Sequence, residues 1–462
     1  MSFNFSVSDF DRYVDNSRAM LDSLNMESAT SSVSKSVIAG ALDESITLTI
    51  SEPEQYKLQS QIREAFGRGN TLNLSSIADH PDFKSLVYGG VKNQFITTIF
   101  IDIKGSTKLS LKYPDSLEFI YRFKNAVIKS CIEVIHAFDG HVHRIMGDAV
   151  LGFFGSTTVD KAQSILDCIN AAAMLTVVLE HTIKPWLQEQ KQDFDVRDFG
   201  FRMGCNFGDD DEILWANYGF GKVGEVSPTG LPVDLAAKLQ GLASKNQIMM
   251  GQGILEYFNF PQDFSEIKVK KVNYENEPVE FVTPNYLKAD GSPLNYIMRL
   301  LKTNKYILGL PLPPALKLSV TSGIGIKEHV VPNIRFELTA EIYDPYGRTE
   351  KFISNSKVIQ KNSKIKATLN SKNLTLGESL KVIFYKKNHS GYKNEPILEK
   401  YLDDEVIESE INPDSSSTLH YFRPNKTFQR DCNFKGLHYI RCDVLNSRSE
   451  VIFRDYIYVP IE

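Results

Sequence analysis

The sequence predicts an α+β protein in which a ferredoxin-like domain precedes an all-β, sandwich-like domain. Three observations lead there. Between about 93 and 290, strand-like and helix-like patterns alternate in the order β-α-β-β-α-β. The stretch ILGLPLPPALKLS then concentrates Pro311, Pro313 and Pro314, the texture of a stiff linker. Beyond it helical periodicity all but disappears, and segments such as NIRFELTAEIYD, SLKVIFYKKN and EVIFRDYIYVP alternate with turns. The expected divisions are an N-terminal extension over 1–92, the ferredoxin-like domain over 93–290, a Pro-rich linker over 291–316 and a β domain, a candidate sensor, over 317–462.

The extension mixes short helical patterns with Ser-rich segments such as SATSSVSKS and carries no recognisable chemistry. Packing on the next domain or on a second subunit is its default role. FITTIFID (95–102) is built of apolar β-formers and reads as a strand covered on both faces. Residues 116–138 place Leu117, Ile120, Phe123, Val127, Ile128, Cys131, Val134 and Ile135 at helical spacing, with Gly140 where a C-terminal cap belongs. HVHRIM and AVLGFF follow as strands joined by Gly147-Asp148, a tight hairpin signal. A second helix is expected over 160–183, stopped by Pro185. FGFRMGCNFG and FGKVGEV read as strands, LPVDLAAKLQGLAS as a short amphipathic helix and QIMM as a buried strand.

At 462 residues the chain exceeds one compact domain, and 42% hydrophobic content is ample for real cores. A net charge of −5 argues against a nucleic-acid partner. The five scattered cysteines, Cys131, Cys168, Cys205, Cys432 and Cys442, fit a reducing compartment better than a disulfide framework. The N-terminus MSFNFSVSDFDRYVD is polar and acidic, unlike an export signal. The most apolar helical stretch, ILDCINAAAMLTVVL, is short for a bilayer and contains Asp167 and Asn170. A soluble, cytoplasmic protein without membrane contact is expected.

Asp102 closes a run designed for burial, where an unpaired carboxylate costs several kcal/mol or takes up a proton. A helix N-cap or a basic partner would satisfy it. A second carboxylate, Asp148, sits in the hairpin turn after Gly147, and the core order brings the two strands side by side. Two neighbouring carboxylates repel unless a cation lies between them, and oxygen-only ligation suits Mg²⁺ or Mn²⁺. Gly105, Ser106 and Thr107, directly after the strand, leave room for an anion to approach the backbone.

DIKGST (102–107) and RIMGDAVLGFFG (144–155) resemble the two metal-binding motifs of the class III nucleotidyl cyclases, and RMGCNFG and SPTGLPVDLAAKL resemble the family's later motifs. The resemblance covers roughly 95–285. The long N-terminal segment and C-terminal β domain look like the bacterial pyrimidine cyclases of the Pycsar anti-phage system. The resemblance implies cyclisation of a nucleoside triphosphate, CTP ahead of UTP or a purine, to a 3′,5′-cyclic monophosphate and pyrophosphate. A cyclic-nucleotide-responsive effector would act downstream.

The resemblance also implies roles. Asp102 and Asp148 match the metal aspartates, and Ile103 the position whose carbonyl joins them around two Mg²⁺ or Mn²⁺ ions. Gly105, Ser106 and Thr107 match the loop over the triphosphate, although the family usually has an aromatic where Ser106 stands. Arg144 and Ser227 fall on the base-selecting positions, and Lys270 falls near the phosphate-binding lysine. Asp234 stands where the family has a transition-state Asn, and Lys238 where it has Arg, keeping the charge but losing the bidentate fork. In the family these residues act across a homodimer interface.

Alternatives stay open at this level. Asp234 and Lys238 are also spaced as a helical i,i+4 surface pair. Loss of catalysis, leaving a nucleotide-binding sensor, is a rival reading, and DDDE at 209–212 reads as a solvated acidic loop. His141 and His143 alternate on a strand without a third ligand, which makes zinc an unsuitable occupant.

Overall fold

A computed structural model describes residues 3–15, 56–220, 223–322, 328–374, 379–389, 391, 405–411 and 426–462; SATSSVSKS, at 28–36, lies outside them. The first part contains strands β1 (Val91–Asn93), β2 (Ile96–Lys104), β3 (His141–Met146), β4 (Ala149–Phe154), β5 (Gly200–Gly208) and β6 (Leu214–Phe220). It continues with β7 (Val223–Thr229), β8 (Gln247–Gly251), β9 (Ser265–Glu266), β10 (Lys268–Val272), β11 (Glu275–Val279) and β12 (Met298–Leu301). The central sheet runs β3-β4-β2-β5-β8-β12-β9. Its first four strands have the ferredoxin-like order, antiparallel throughout, and β8 joins β5 in parallel.

Alternation along β2 decides what faces what. Ile99, Ile101 and Ile103 belong to the core with Phe123, Val127 and Cys131 of helix Leu117–Ala137 and with Ile165 and Ile169 of helix Lys161–Val178. Asp102 therefore points to the opposite face, where helix Leu231–Leu242 crosses β5. The approach is close: a Cβ on Gly204 would lie 2.3 Å from the Ala236 carbonyl oxygen. Only glycine fits there.

The N-terminal segment packs on this domain. Phe5, Phe10, Tyr13, Leu58 and Ile62 enter the same core. Tyr13 donates to Glu133 at 2.8 Å, and the Gln59 amide to the same oxygen at 3.1 Å. Burial pushes the Glu133 carboxyl up to about 7, against these hydrogen bonds and Lys129.

Three local expectations need correction. The left-handed residue ending helix Leu117–Ala137 is Asp139 (φ 57°), not Gly140. Gly140 is required instead by close approach, since a Cβ there would meet the Phe154 ring at 2.6 Å. Pro185 does not stop its helix: a π-helical turn, Leu179–Ile183, widens the backbone, and Pro185 enters the first turn of Lys184–Gln190. The wider turn accommodates the missing N–H and the ring. The resulting 30-residue run, Lys161–Gln190, is long and apolar enough to cross a membrane, yet its most apolar window is 94% buried inside the protein. It is a core helix.

The third correction concerns the linker. The chain from 291 to 316 contributes β12 to the central sheet and then the short helix Thr303–Ile307. Tyr306, Ile307 and Leu310 are fully buried. Pro314 begins a further helix, Pro314–Thr321, as a first-turn proline.

Beyond it, β13 (Phe336–Tyr343), β14 (Thr349–Phe352), β15 (Ser363–Ser371), β16 (Leu380–Lys387), β17 (Glu405–Ile411), β18 (Lys426–Cys432), β19 (Gly436–Leu445) and β20 (Val451–Ile461) form two four-stranded antiparallel sheets. The orders are β14-β13-β15-β18 and β17-β16-β19-β20. One apolar cluster, with Ala367, Phe428, Val382 and Cys442, draws on both sheets.

The two parts also share a core. Leu437, Tyr439, Tyr456 and Tyr458 belong to the main cluster of the first domain. Tyr458 donates to the Lys305 carbonyl at 2.6 Å, and its ring occupies the space a Cβ on Gly309 would need. Asn170, inside helix Lys161–Val178, accepts from Tyr306 and from Asn355 at 2.9 Å each and donates to the Asn355 carbonyl at 2.8 Å. A chain ended at Pro311 would expose this surface. It is expected to aggregate, whereas the full chain should melt in one cooperative transition; a monodisperse truncated protein with its own sharp transition would contradict the shared core.

Candidate active site

β2 ends at Lys104, and Gly105 makes the turn into helix Ser106–Lys112. Gly105 has φ +91°, and a Cβ there would stand 2.5 Å from the Asp198 carbonyl oxygen, so both conformation and space require glycine. Asp102 is not a helix cap. Its register partner on β5 is Arg202, whose Nε and Nη2 donate to Asp102 Oδ2 at 2.9 and 2.7 Å. Both bonds land on Oδ2, and none among the described residues lands on Oδ1.

Asp148 occupies the β3–β4 turn beside Gly147 (φ +64°). Its carbonyl accepts from the Ile103 amide at 3.1 Å, which locks the turn to the end of β2. Its carboxylate accepts a hydrogen bond from Ser106 Oγ. Asp102, Ile103, Gly105, Ser106, Thr107 and Asp148 line one cleft of about 460 Å³. Lys104, Lys108, Lys245 and Arg202 complete its wall with Asp198, so four cationic side chains face three carboxylates. Lys108 pairs with Asp198 at 3.0 Å. The balance favours a polyanion, and the oxygen donors are those a hard divalent cation takes. Among the described residues no three acidic, His or Cys side chains converge, so a cation here would lean on two carboxylates and on substrate oxygens.

A second constellation forms where β3 meets β7. Trp215 of β6 stacks on Phe83 with centroids 3.8 Å apart and meets Phe153 of β4 edge-on at 5.5 Å, pinning the β6–β7 hairpin to the sheet. A bulge between Val142 and Arg144 interrupts β3. Bulges re-aim side chains, and here the consecutive His143 and Arg144 both reach Glu225 of β7. The Arg144 fork embraces the carboxylate, with Nε 3.2 Å from Oε1 and Nη2 on Oε2. His143 Nε2 lies 2.9 Å from Glu225 Oε1 and 3.1 Å from Ser227 Oγ. Burial lowers the His143 pKa, while Glu225 pulls it up and Arg144 pulls it down. Arg144 and Ser227 are thus linked through Glu225, which the sequence did not single out, and through His143, weighed there only as a zinc ligand.

Asp234 and Lys238 lie exposed on helix Leu231–Leu242, one turn apart. No hydrogen bond or ion pair joins them among the described residues, so the surface-pair alternative is not realised. Lys270 is exposed on the β10–β11 hairpin opposite Glu277. None of Arg144, Ser227, Asp234, Lys238 and Lys270 lines the cleft of Asp102. The acidic loop is exposed at Asp210, Asp211 and Glu212, as a solvated loop should be, and it is also tied down: Asp209 and Asp210 both pair with Lys161, and Asp210 accepts from the Phe95 amide at 2.8 Å.

No family model matches the chain. A cytidylate cyclase of Escherichia coli is 34% identical over 438 residues, 91% of this chain and 91% of that protein. One of Staphylococcus aureus is 37% identical over 258 residues, 55% of this chain and 57% of its own length. Among solved structures, the adenylyl cyclase CyaB of P. aeruginosa is similar at 17% identity and a TM-score of 0.35, covering 46% of this chain and 95% of that one. With nine-tenths of both sequences aligned to the E. coli protein, this chain belongs to the family of the cytidylate cyclases.

Proposed function

We propose that the chain converts CTP to 3′,5′-cyclic CMP and pyrophosphate, and the observation that carries the base assignment is the Arg144–Glu225 pair. It sets guanidinium donors beside carboxylate acceptors. Cytosine offers a donor at N4 and acceptors at N3 and O2, which such a pair engages with three bonds. Uracil puts an acceptor at O4, facing the carboxylate, and a proton on N3, facing the guanidinium, and keeps only the bond to O2. Guanine matches the pair in reverse order, so GTP is the competitor on hydrogen bonding alone. The cytidylate cyclase relatives favour CTP. Ser227, held by His143, can donate or accept and excludes neither base.

Asp102, Asp148 and the Ile103 carbonyl would hold two Mg²⁺ or Mn²⁺ ions, which when bound neutralise triphosphate charge and lower the pKa of the ribose 3′-hydroxyl. Ser106 orients Asp148, and Arg202 orients Asp102 through one oxygen while leaving the other for ligation. Lys104, Lys108 and Lys245 add positive charge along the phosphates. The 3′ oxygen attacks the α-phosphorus in line, loses its proton, and pyrophosphate departs. Lys238 and Lys270 would offset charge growing on the leaving group, with Asp234 beside the ribose in place of an amide. The residues for base and leaving group lie apart from the Asp102 cleft, with Arg144, Lys238 and Lys270 exposed and Ser227 half-buried. That separation supports a homodimer in which each protomer completes its partner's site. The cyclic nucleotide would act on an effector in anti-phage defence, the role implied by the likeness to pyrimidine cyclases.

Purified protein incubated with each of the four triphosphates and Mn²⁺, with products read by mass spectrometry, is expected to make cyclic CMP fastest. Glu225→Gln, which can accept from N4 or donate to O4, should shrink the CTP-over-UTP preference by about tenfold or more, since a bidentate base contact carries about 1–3 kcal/mol of discrimination. Faster formation of cyclic GMP or cyclic AMP by the unaltered protein would refute the assignment.

The shared site has its own test. Asp102→Ala and Lys238→Ala should each be nearly inactive, and mixing them should restore turnover through heterodimers that carry one intact site. Demonstrated subunit exchange without recovery would place the whole site in one chain.

A further inference from the structure

A cavity larger than the cleft of Asp102 lies elsewhere in the molecule. About 1030 Å³ lies at the junction of the two domains, between the central sheet, helix Pro314–Thr321 and strands β19 and β20. Cavities of this size at domain junctions are where small ligands are held. One wall is aromatic: Tyr439 and Tyr456 meet edge-on at 5.5 Å, and Tyr439 lies nearly parallel to Tyr458 at 5.9 Å. Another is cationic. Lys302 donates to the Gln262 carbonyl at 3.1 Å, a neutral partner that leaves its charge uncancelled. Lys305 reaches Asp263 Oδ2 at 3.2 Å, and that oxygen also serves His389 at 3.1 Å. Of the three acidic lining residues, Glu180 and Glu328 are already paired, with Lys184 and Arg441, and the third, Glu266, is exposed. A largely packed aromatic wall beside ammonium groups for an anion describes a receptor for a nucleotide.

The cavity also touches the catalytic cleft through the chain itself. Lys245 lines the cleft of Asp102, and the next two residues, Asn246 and Gln247, line the junction cavity. Asn246, at φ +60°, grips β5 from both sides: its amide donates to the Phe201 carbonyl at 2.6 Å and its side chain accepts from the Phe201 amide at 3.2 Å. The residue after Phe201 is Arg202, in register with Gln247 and bonded to Asp102. A ligand that moves Asn246 therefore moves the guanidinium that orients a metal-side carboxylate.

We propose that the junction cavity is a regulatory site for a nucleoside monophosphate, separate from the substrate cleft, whose occupancy reaches Asp102 through Lys245–Gln247 and Arg202. The full chain is titrated calorimetrically with CMP, UMP, AMP and GMP. At least one should bind Asp102→Ala as it binds the unaltered protein, within about threefold, and bind Lys302→Glu about tenfold or more weakly, with Lys302→Arg restoring affinity. The same monophosphate should change the turnover of CTP by the unaltered protein and leave that of Lys302→Glu unchanged. Should Lys302→Glu fail to fold, Ser319→Trp, which fills the cavity from helix Pro314–Thr321, replaces it in both measurements. Failure of all four to bind Asp102→Ala, binding indifferent to the cavity substitution, or turnover untouched by a bound monophosphate would each overturn the proposal. The binding measurement stands whichever triphosphate the catalytic cleft accepts.

Discussion

A carboxylate at the exit of a strand buried on both faces has to be compensated, and the arrangement around Asp102 follows from that need. The strand must be apolar to sit in the centre of the sheet, and its isoleucines on one side serve the two long helices. The other side cannot be apolar where it opens on the cleft, and Asp102 sits there with its charge held by Arg202 across the β2–β5 ladder. A fork delivered to a single oxygen neutralises the charge in the folded chain without consuming all of its ligating capacity. Asp148 is held differently, by a neutral hydroxyl rather than by a cationic fork. The site is therefore pre-arranged yet electrostatically incomplete, which is the condition under which a cation and a polyphosphate bind together.

Most of the elements around that site were legible because each carries a local signal. HVHRIM and AVLGFF coincide with β3 and β4, and the amphipathic segment after Gly230 is a helix to within two residues. What stayed hidden is set by register or by tertiary space. Arg202 was visible inside RMGCNFG, but nothing local says it stands opposite Asp102. Glu225 and His143 come together with Arg144 and Ser227 through a bulge in β3 that puts two consecutive side chains to use, and a bulge leaves no periodic trace when one extra residue enters a six-residue strand. Pro185 misled for a related reason. A proline stops a regular α-helix, and the π turn before it, which removes the conflict, has no composition of its own.

The proline-rich stretch shows how one composition supports two opposite readings. Prolines stiffen an exposed tether, and they also start helices and stop strands. Here Leu310 and Leu312, on either side of Pro311, are buried, and Pro314 opens a helix whose Lys317 is itself buried against Asp455 of β20. The deciding information lies elsewhere in the chain, in Tyr306, Tyr439, Tyr456 and Tyr458, which supply the surface that covers the leucines. Asn170 belongs to the same account. In isolation it marks a helix too polar for a bilayer; in the fold it is the polar node through which that helix holds Tyr306 and Asn355. A buried amide holding three directional partners specifies one arrangement of the two domains far more strictly than apolar contact does.

That rigid junction changes what the β domain can do. A domain on a flexible tether communicates by its presence or absence, whereas a domain sharing a core transmits displacement, because packed interiors shift as units. The path from β19 and β20 to the catalytic face is short: Tyr458 holds the Lys305 carbonyl, β12 joins that segment to β8, and β8 begins at the residue after Asn246. Every step is a hydrogen bond or a covalent neighbour, and the path ends on Arg202, a sheet residue whose guanidinium bonds Asp102. The interaction that makes a buried strand tolerate a carboxylate is thus also the place where a movement of the β domain would be felt by the chemistry.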